Sequence, residues 1–236
     1  MLILQSSADD VPARAAVRVG FISTIAPYVI PEGDHGAEVD LIREALRRSG
    51  RELNAVYLPL QRVRAEFDKR HLDAAASGEP ATGWGAALSA PYIEFHEAAI
   101  VDASSDIRVN TIADLSGIRV ASFRGATESL GSDFKRAVAH NPRYQELNVD
   151  VDLCRLLRRG MIDAVVSDEY IYRYLDASLP AATALTLRVE EVFPRKTYEV
   201  AFHDARLRDD FDTALADMRR DGTYERIVRA YLVSGH

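Results

Sequence analysis

The sequence predicts an α/β protein built as two halves, each a mostly parallel sheet flanked by helices. Three observations carry that expectation. Short β-branched runs ended by glycine or polar residues alternate with segments of helical spacing from residue 17 onward, and such alternation implies a largely parallel sheet covered on both faces. The same rhythm starts afresh after residue 106. At 236 residues the chain exceeds the usual size of one domain, which leaves room for one large domain or two small lobes.

Residues 17–22 (VRVGFI) read as the first strand, being β-branched and closed by a polar loop. A loop with Pro27, Pro31, Gly33 and Gly36 follows. Val39, Leu41, Ile42, Ala45 and Leu46 then recur at helical spacing, with Arg47 and Arg48 near the end and Gly50 as the stop. Residues 54–58 read as a second strand, 63–70 as a short helix and 73–77 as a buried strand. In the second half, 111–117 suggests a short helix, and 118–123 a strand ending in Arg124-Gly125-Ala126-Thr127. A helix follows through Phe134 and Ala137. Residues 152–159 are expected to be helical, 161–167 a strand, and 171–175 part of a helix. Strands near 185–189 and 198–202 precede two amphipathic helices, 205–219 and 223–232, split by Asp221-Gly222. Paired sheets of this kind hold ligands at the carboxyl ends of their strands.

Composition narrows the function. A formal net charge of −7 gives no basic face for phosphates, so no nucleic-acid partner is expected. The same charge disfavours docking on an anionic membrane, and no apolar run approaches the ~20 residues of a span, so no membrane insertion is expected. The single cysteine, Cys154, lies between Leu153 and Leu156 and reads as a small buried residue rather than a nucleophile. The six histidines are scattered without metal-ligand spacing, and no nucleophile elbow or phosphate loop occurs. No catalytic residue, metal site or cofactor is therefore assigned. Residues 1–16 read as a leader. Their opening apolar stretch is too short for a secretory signal, so either a signal is missing or the domain comes from a longer chain.

Several stretches together resemble the family 3 extracellular solute-binding proteins, the polar-amino-acid receptors of ABC importers. They are Val19-Gly20 through Ala26-Pro27-Tyr28 and Gly36-Ala-Glu-Val-Asp40-Leu41, then Leu88-Ser89-Ala90-Pro91-Tyr92. Further on come Ile112 to Val120 with Arg124 to Thr127, then Arg159 to Asp168, and finally the ending around Asp221-Gly222-Thr-Tyr224. They span about residues 17–232 in the family's order. The resemblance implies a type II periplasmic-binding-protein architecture. Lobe 1 would take residues 17–101 and 199–236, lobe 2 would take 104–193, and two hinge strands would join them. It also implies a periplasmic, monomeric, non-enzymatic protein that closes around a small polar molecule and delivers it to an ABC-transporter permease. The same fold also serves as the ligand-sensing domain of signalling receptors and, less often, as a dehydratase-type enzyme.

By that resemblance Asp168 would receive a ligand ammonium, although an aspartate there also suits a helix N-cap. Thr127 and the amides after Gly125 lie at a strand-to-helix turn, where free N–H groups suit a carboxylate or a cap. Ser77 would hydrogen-bond the ligand, Leu60 would form a cleft wall, and Tyr28 belongs to the opening loop. Two positions depart from the family. Its aromatic platform aligns with Ile25. Its carboxylate-gripping arginine aligns with Thr82, and no arginine occurs between Arg70 and Arg108. A neutral hydroxyl there contributes only about 0.5–1.5 kcal/mol. Trp84, the only tryptophan, would either replace the lost aromatic surface in the cleft or anchor its own loop in lobe 1. Glu79 with Asp168 would tilt the cleft toward an amine-bearing ligand, and Arg124 is the nearest alternative anchor for an anion.

Overall fold

A computed structural model describes residues 16–23, 25–76, 84–148 and 150–232. Ser77, Glu79 and Thr82 lie outside the described residues, as does most of the expected leader. Strand β1 (Ala16–Ile22) buries Val17, Val19 and Phe21, the alternation of a strand whose one face meets a core. The loop that follows closes against itself at Gly36, where φ is 132°. A Cβ at Gly36 would collide with the Tyr28 carbonyl oxygen, so only glycine allows the approach that seats Tyr28. Helix α1 (Ala37–Arg48) buries Val39, Leu41, Ile42, Ala45 and Leu46, with Glu38 and Asp40 in its first turn and Arg47 and Arg48 in its last. Both charge placements complement the helix dipole.

Strand β2 (Glu52–Leu58), helix α2 (Leu60–Asp68), β3 (Ala74–Ala76) and β4 (Ala87–Leu88) continue the first lobe. The chain leaves it through β5 (Ile93–Phe95) and enters the second sheet as β6 (Glu97–Asp102). A 3-10 helix at Ile112–Gly117, opened by a Thr111–Asp114 capping box, leads to β7 (Val120–Phe123), α3 (Ala126–Ser129) and α4 (Ser132–Val138). Then come β8 (Tyr144–Leu147), α5 (Asp150–Arg158), β9 (Ala164–Asp168), α6 (Glu169–Ala177) and β10 (Leu187–Glu190). The return passes through β11 (Lys196–Tyr198) to β12 (Ala201–Phe202), α7 (Ala205–Arg220) and α8 (Thr223–Leu232).

Three sheets result. The first has the order β2-β1-β3-β12-β4, with β1 parallel to β2 and β3, and β12 antiparallel to its neighbours. The second has the order β10-β6-β9-β7-β8, with β7 parallel to β8 and β9. Between them, β5 and β11 pair as an antiparallel two-stranded link. This is the expected pair of flanked sheets with two crossing strands. The lobe boundary differs from the expected one. Residues 97–101 belong to the second sheet through β6, so the crossing lies at β5 and β11. The apolar run Ala98–Val101 is unbroken in sequence, and nothing local says which sheet it joins.

Each lobe buries apolar residues on both faces of its sheet, at about 25 cal/mol per Å² removed from water. Cys154 is fully buried in the second lobe, and burial pushes its thiol up to about 12, as suits a packed thiol with no reactive role. Tyr170 and Ile171, at the start of α6, pack against the first lobe's core, so the lobes touch beside the crossing strands.

Candidate ligand-binding cleft

Register brings the second lobe's polar strand ends together. Strands β7 and β9 pair with Val120 opposite Ala164 and Ser122 opposite Val166, so their carboxyl ends carry Arg124 and Asp168 to the same edge of the sheet. From the first lobe, the loop after β1 meets this edge: the Tyr28 hydroxyl donates to Asp168 Oδ2 at 2.9 Å. Tyr28 is 0% exposed and stacks on Phe95 of β5, with centroids 4.0 Å apart. The carboxyl ends of both sheets therefore converge beside the crossing strands.

Asp168 is 2% exposed and fully partnered. Its Oδ1 accepts the Tyr170 and Ile171 amides at 2.9 and 3.0 Å, which caps α6. Its Oδ2 accepts the His96 amide at 2.7 Å as well as the Tyr28 hydroxyl. Burial raises its carboxyl, and the amide and hydroxyl donors oppose that shift only in part. The helix-cap reading of Asp168 is thus realised, and its other oxygen joins the lobes. Burial, then the neighbouring Asp168 charge, holds the Tyr28 hydroxyl protonated as a donor.

Glu97 was not among the residues singled out from sequence. It sits directly opposite Asp168 in the β6–β9 ladder, so the two side chains share a face at the same sheet edge. Glu97 is 9% exposed, and its Oε2 has no hydrogen-bond partner among the described residues. Burial, reinforced by the Asp168 charge, pushes its carboxyl up to about 8, with Lys196 of β11 opposing. Next to it, buried His96 places Nδ1 3.0 Å from Glu169 Oε2 and Nε2 3.7 Å from Glu191 Oε1. Acidic groups therefore crowd the end of β9. The available signal was a glutamate opening an otherwise apolar strand.

The end of β7 is arranged differently. The Gly125 amide donates to Glu146 Oε2 at 2.7 Å, and the Thr127 amide and hydroxyl both donate to Glu146 Oε1 at 3.0 Å. The Tyr144 hydroxyl adds a bond at 2.9 Å. Burial would raise Glu146, but these donors outweigh it and hold its carboxyl below the usual range. The turn does collect a carboxylate, as its amides suggest, and that carboxylate is the protein's own. Arg124 is exposed and donates to Asn148 at 3.2 Å.

Leu60 is half-buried at the first turn of α2, beyond the carboxyl end of β2. Ile25 packs partly buried on the first core, and its carbonyl accepts the Tyr28 amide at 2.9 Å. Trp84 follows the other course open to it. It packs on Phe67 with centroids 5.4 Å apart, and the Arg64 guanidinium lies 4.5 Å over its ring. It precedes β4, which pairs through β12 beside β3, so it stands at the end of the sheet away from Asp168. The structure thus gathers Tyr28, Thr127 and Asp168 near the crossing strands and leaves Trp84 apart.

The family described as bacterial extracellular solute-binding proteins, family 3, matches residues 17–234. The histidine-binding periplasmic protein of Salmonella typhimurium is 25% identical over 230 residues, covering 91% of this chain and 86% of that protein. Its Escherichia coli (strain K12) namesake matches at the same identity and coverage. A solved mutant of ArgBP from T. maritima superposes with a TM-score of 0.67 at 25% identity, covering 93% of this chain and 96% of that one. Two further structures resemble this fold. An ancestral cationic amino acid solute binding protein has a TM-score of 0.72 at 20% identity, covering 92% and 95%. A histidine kinase sensor domain has a TM-score of 0.71 at 20% identity, covering 93% and 96%.

Proposed function

The chain belongs to the family 3 bacterial extracellular solute-binding proteins, and from that premise we propose that it captures a small polar solute between its lobes in the periplasm and hands it to the permease of an ABC importer. The observation that carries this reading is the bond between Tyr28 and Asp168, which lays the first lobe's loop over the carboxyl ends of β7 and β9. A solute held there is reached from both lobes, so closure and binding are one event. Asp168 keeps its Oδ1 on the α6 amides, and its Oδ2 exchanges the Tyr28 hydroxyl for a ligand ammonium. Leu60, at the first turn of α2, and Ile25 and Thr127, in the loops after β1 and β7, are the further side chains assigned to the approach. The names of the curated relatives, histidine-binding periplasmic proteins, support a nitrogen-rich solute.

Thermal unfolding against amino acids, polyamines and other amines tests the reading. A ligand present at 100 times its Kd adds about 2.7 kcal/mol of stability, which raises Tm by several degrees. Asp168→Asn retains the helix cap and removes the charge, and is expected to weaken binding strongly. An unchanged Kd in that variant would remove Asp168 from the site. Absence of any shift across the panel would overturn the transport reading.

A further inference from the structure

Five features of the cleft converge on a narrower ligand class. The amides and hydroxyl at Gly125 and Thr127 already hold a carboxylate, Glu146. No arginine stands between Arg70 and Arg108 to grip another. Across the same edge, Glu97 faces Asp168 in the ladder. Its Oε2 is buried without a partner among the described residues, although buried polar atoms almost always have one. Among the described residues, the one cation acting on Glu97, Lys196, is itself engaged by the Ser129 carbonyl oxygen at 2.8 Å.

We propose that the solute is a cationic amine without a free carboxylate, and that Glu97 receives its ammonium group together with Asp168. This rests on the reading that the cleft binds a solute at all. The chemistry follows from the two strand ends. A carboxylate-bearing solute would have to displace Glu146 from four donors, two of them backbone amides, and would approach the Asp168 carboxylate against its charge. An ammonium meets an unsatisfied acceptor and allows two adjacent carboxyl groups to be ionised together. Glu97, pushed up to about 8 by burial and by Asp168, is mostly protonated at neutral pH. An arriving cation favours its ionised form, so binding releases a proton.

Calorimetric titration of the purified protein at pH 7 tests this with matched pairs: agmatine against arginine, histamine against histidine, cadaverine against lysine. Repeating each titration in buffers of different ionisation enthalpy reads the proton released. At least one amine is expected to bind far more tightly than its parent amino acid, with proton release. Glu97→Gln should weaken that amine about tenfold or more, the loss of a charge-assisted bond, and abolish the proton release. Glu97→Asp should recover part of the affinity, which separates lost charge from lost structure. If the amino acids bind as tightly as the amines, or if Glu97→Gln binds the amine unchanged, the inference is overturned while solute binding stands. If neither series binds, both fail.

Discussion

Two neighbouring strand ends of one sheet, just past the paired Ser122 and Val166, have opposite electrostatic characters. At the end of β7, a carboxylate is surrounded by donors: Glu146 takes the Gly125 and Thr127 amides and two hydroxyls, and its carboxyl is held low. At the end of β9, two carboxyl groups stand opposite each other with no arginine or lysine of the described residues bonded to either, and both are raised. The first end is complete in itself. The second is short of positive charge. The contrast teaches that a shared fold brings strand ends together, while the residues facing those ends decide what charge they can receive.

The largest expected effect breaks the β9 end. Asp168→Ala removes the α6 cap, leaves the His96 amide without its acceptor and leaves the Tyr28 hydroxyl only the Glu94 carbonyl oxygen at 3.5 Å. Losses of roughly 3–5 kcal/mol are expected from the cap and the stranded donors together, read as a lower midpoint in urea. The corresponding change at the β7 end, Glu146→Ala, should cost less, about 1–2 kcal/mol, because that turn retains some access to water. Similar losses at both ends would erase the contrast.

The pH dependence should differ in sign. Burial raises Glu97 from 4.5 to about 8 and raises Glu38, buried in α1 beside Tyr92, from 4.5 to about 7. An acid raised by folding gives stability that is fully present below its unfolded value and is lost as pH climbs through its folded value. Stability is therefore expected to fall between about pH 4.5 and 8, and Glu97→Gln or Glu38→Gln should each flatten part of that decline. Glu146 is lowered, so its contribution is present above its unfolded value and lost on acidification. A melting profile of Glu146→Gln that loses slope in the alkaline rather than the acid range would contradict this assignment.

The smallest effect concerns Trp84, which lies apart from both ends. Arg64→Ala removes the cation over its ring at a cost of about 0.5–1 kcal/mol. Ligand addition should shift the emission of this single tryptophan only slightly. A large shift on binding would bring Trp84 back to the cleft.

Much of the fold was legible in sequence. The apolar spacing of α1, the turn after β7 and the strand leading to Asp168 all formed where their patterns indicated, because each is decided by local periodicity and caps. The short strands β4, β5 and β8 went unassigned, since two to four residues carry no period. The run at 198–202 divided into β11 and β12 for the same reason. In the cleft, Asp168 and Thr127 were visible because they follow apolar strands. Glu97 and Glu146 were not, because their meaning comes from the strand opposite, and register across a sheet is a non-local property.

The order in which the chain visits the sheets also shapes its synthesis. The second sheet is assembled from one continuous stretch, β6 to β10, whereas the first needs β12, α7 and α8 from the end of the chain. As the chain emerges from its N-terminus, the second lobe can fold once its own residues are free, while β3 and β4 wait for β12 to come between them. The inserted lobe is therefore expected to nucleate early, and the lobe that begins the sequence to be the last to close.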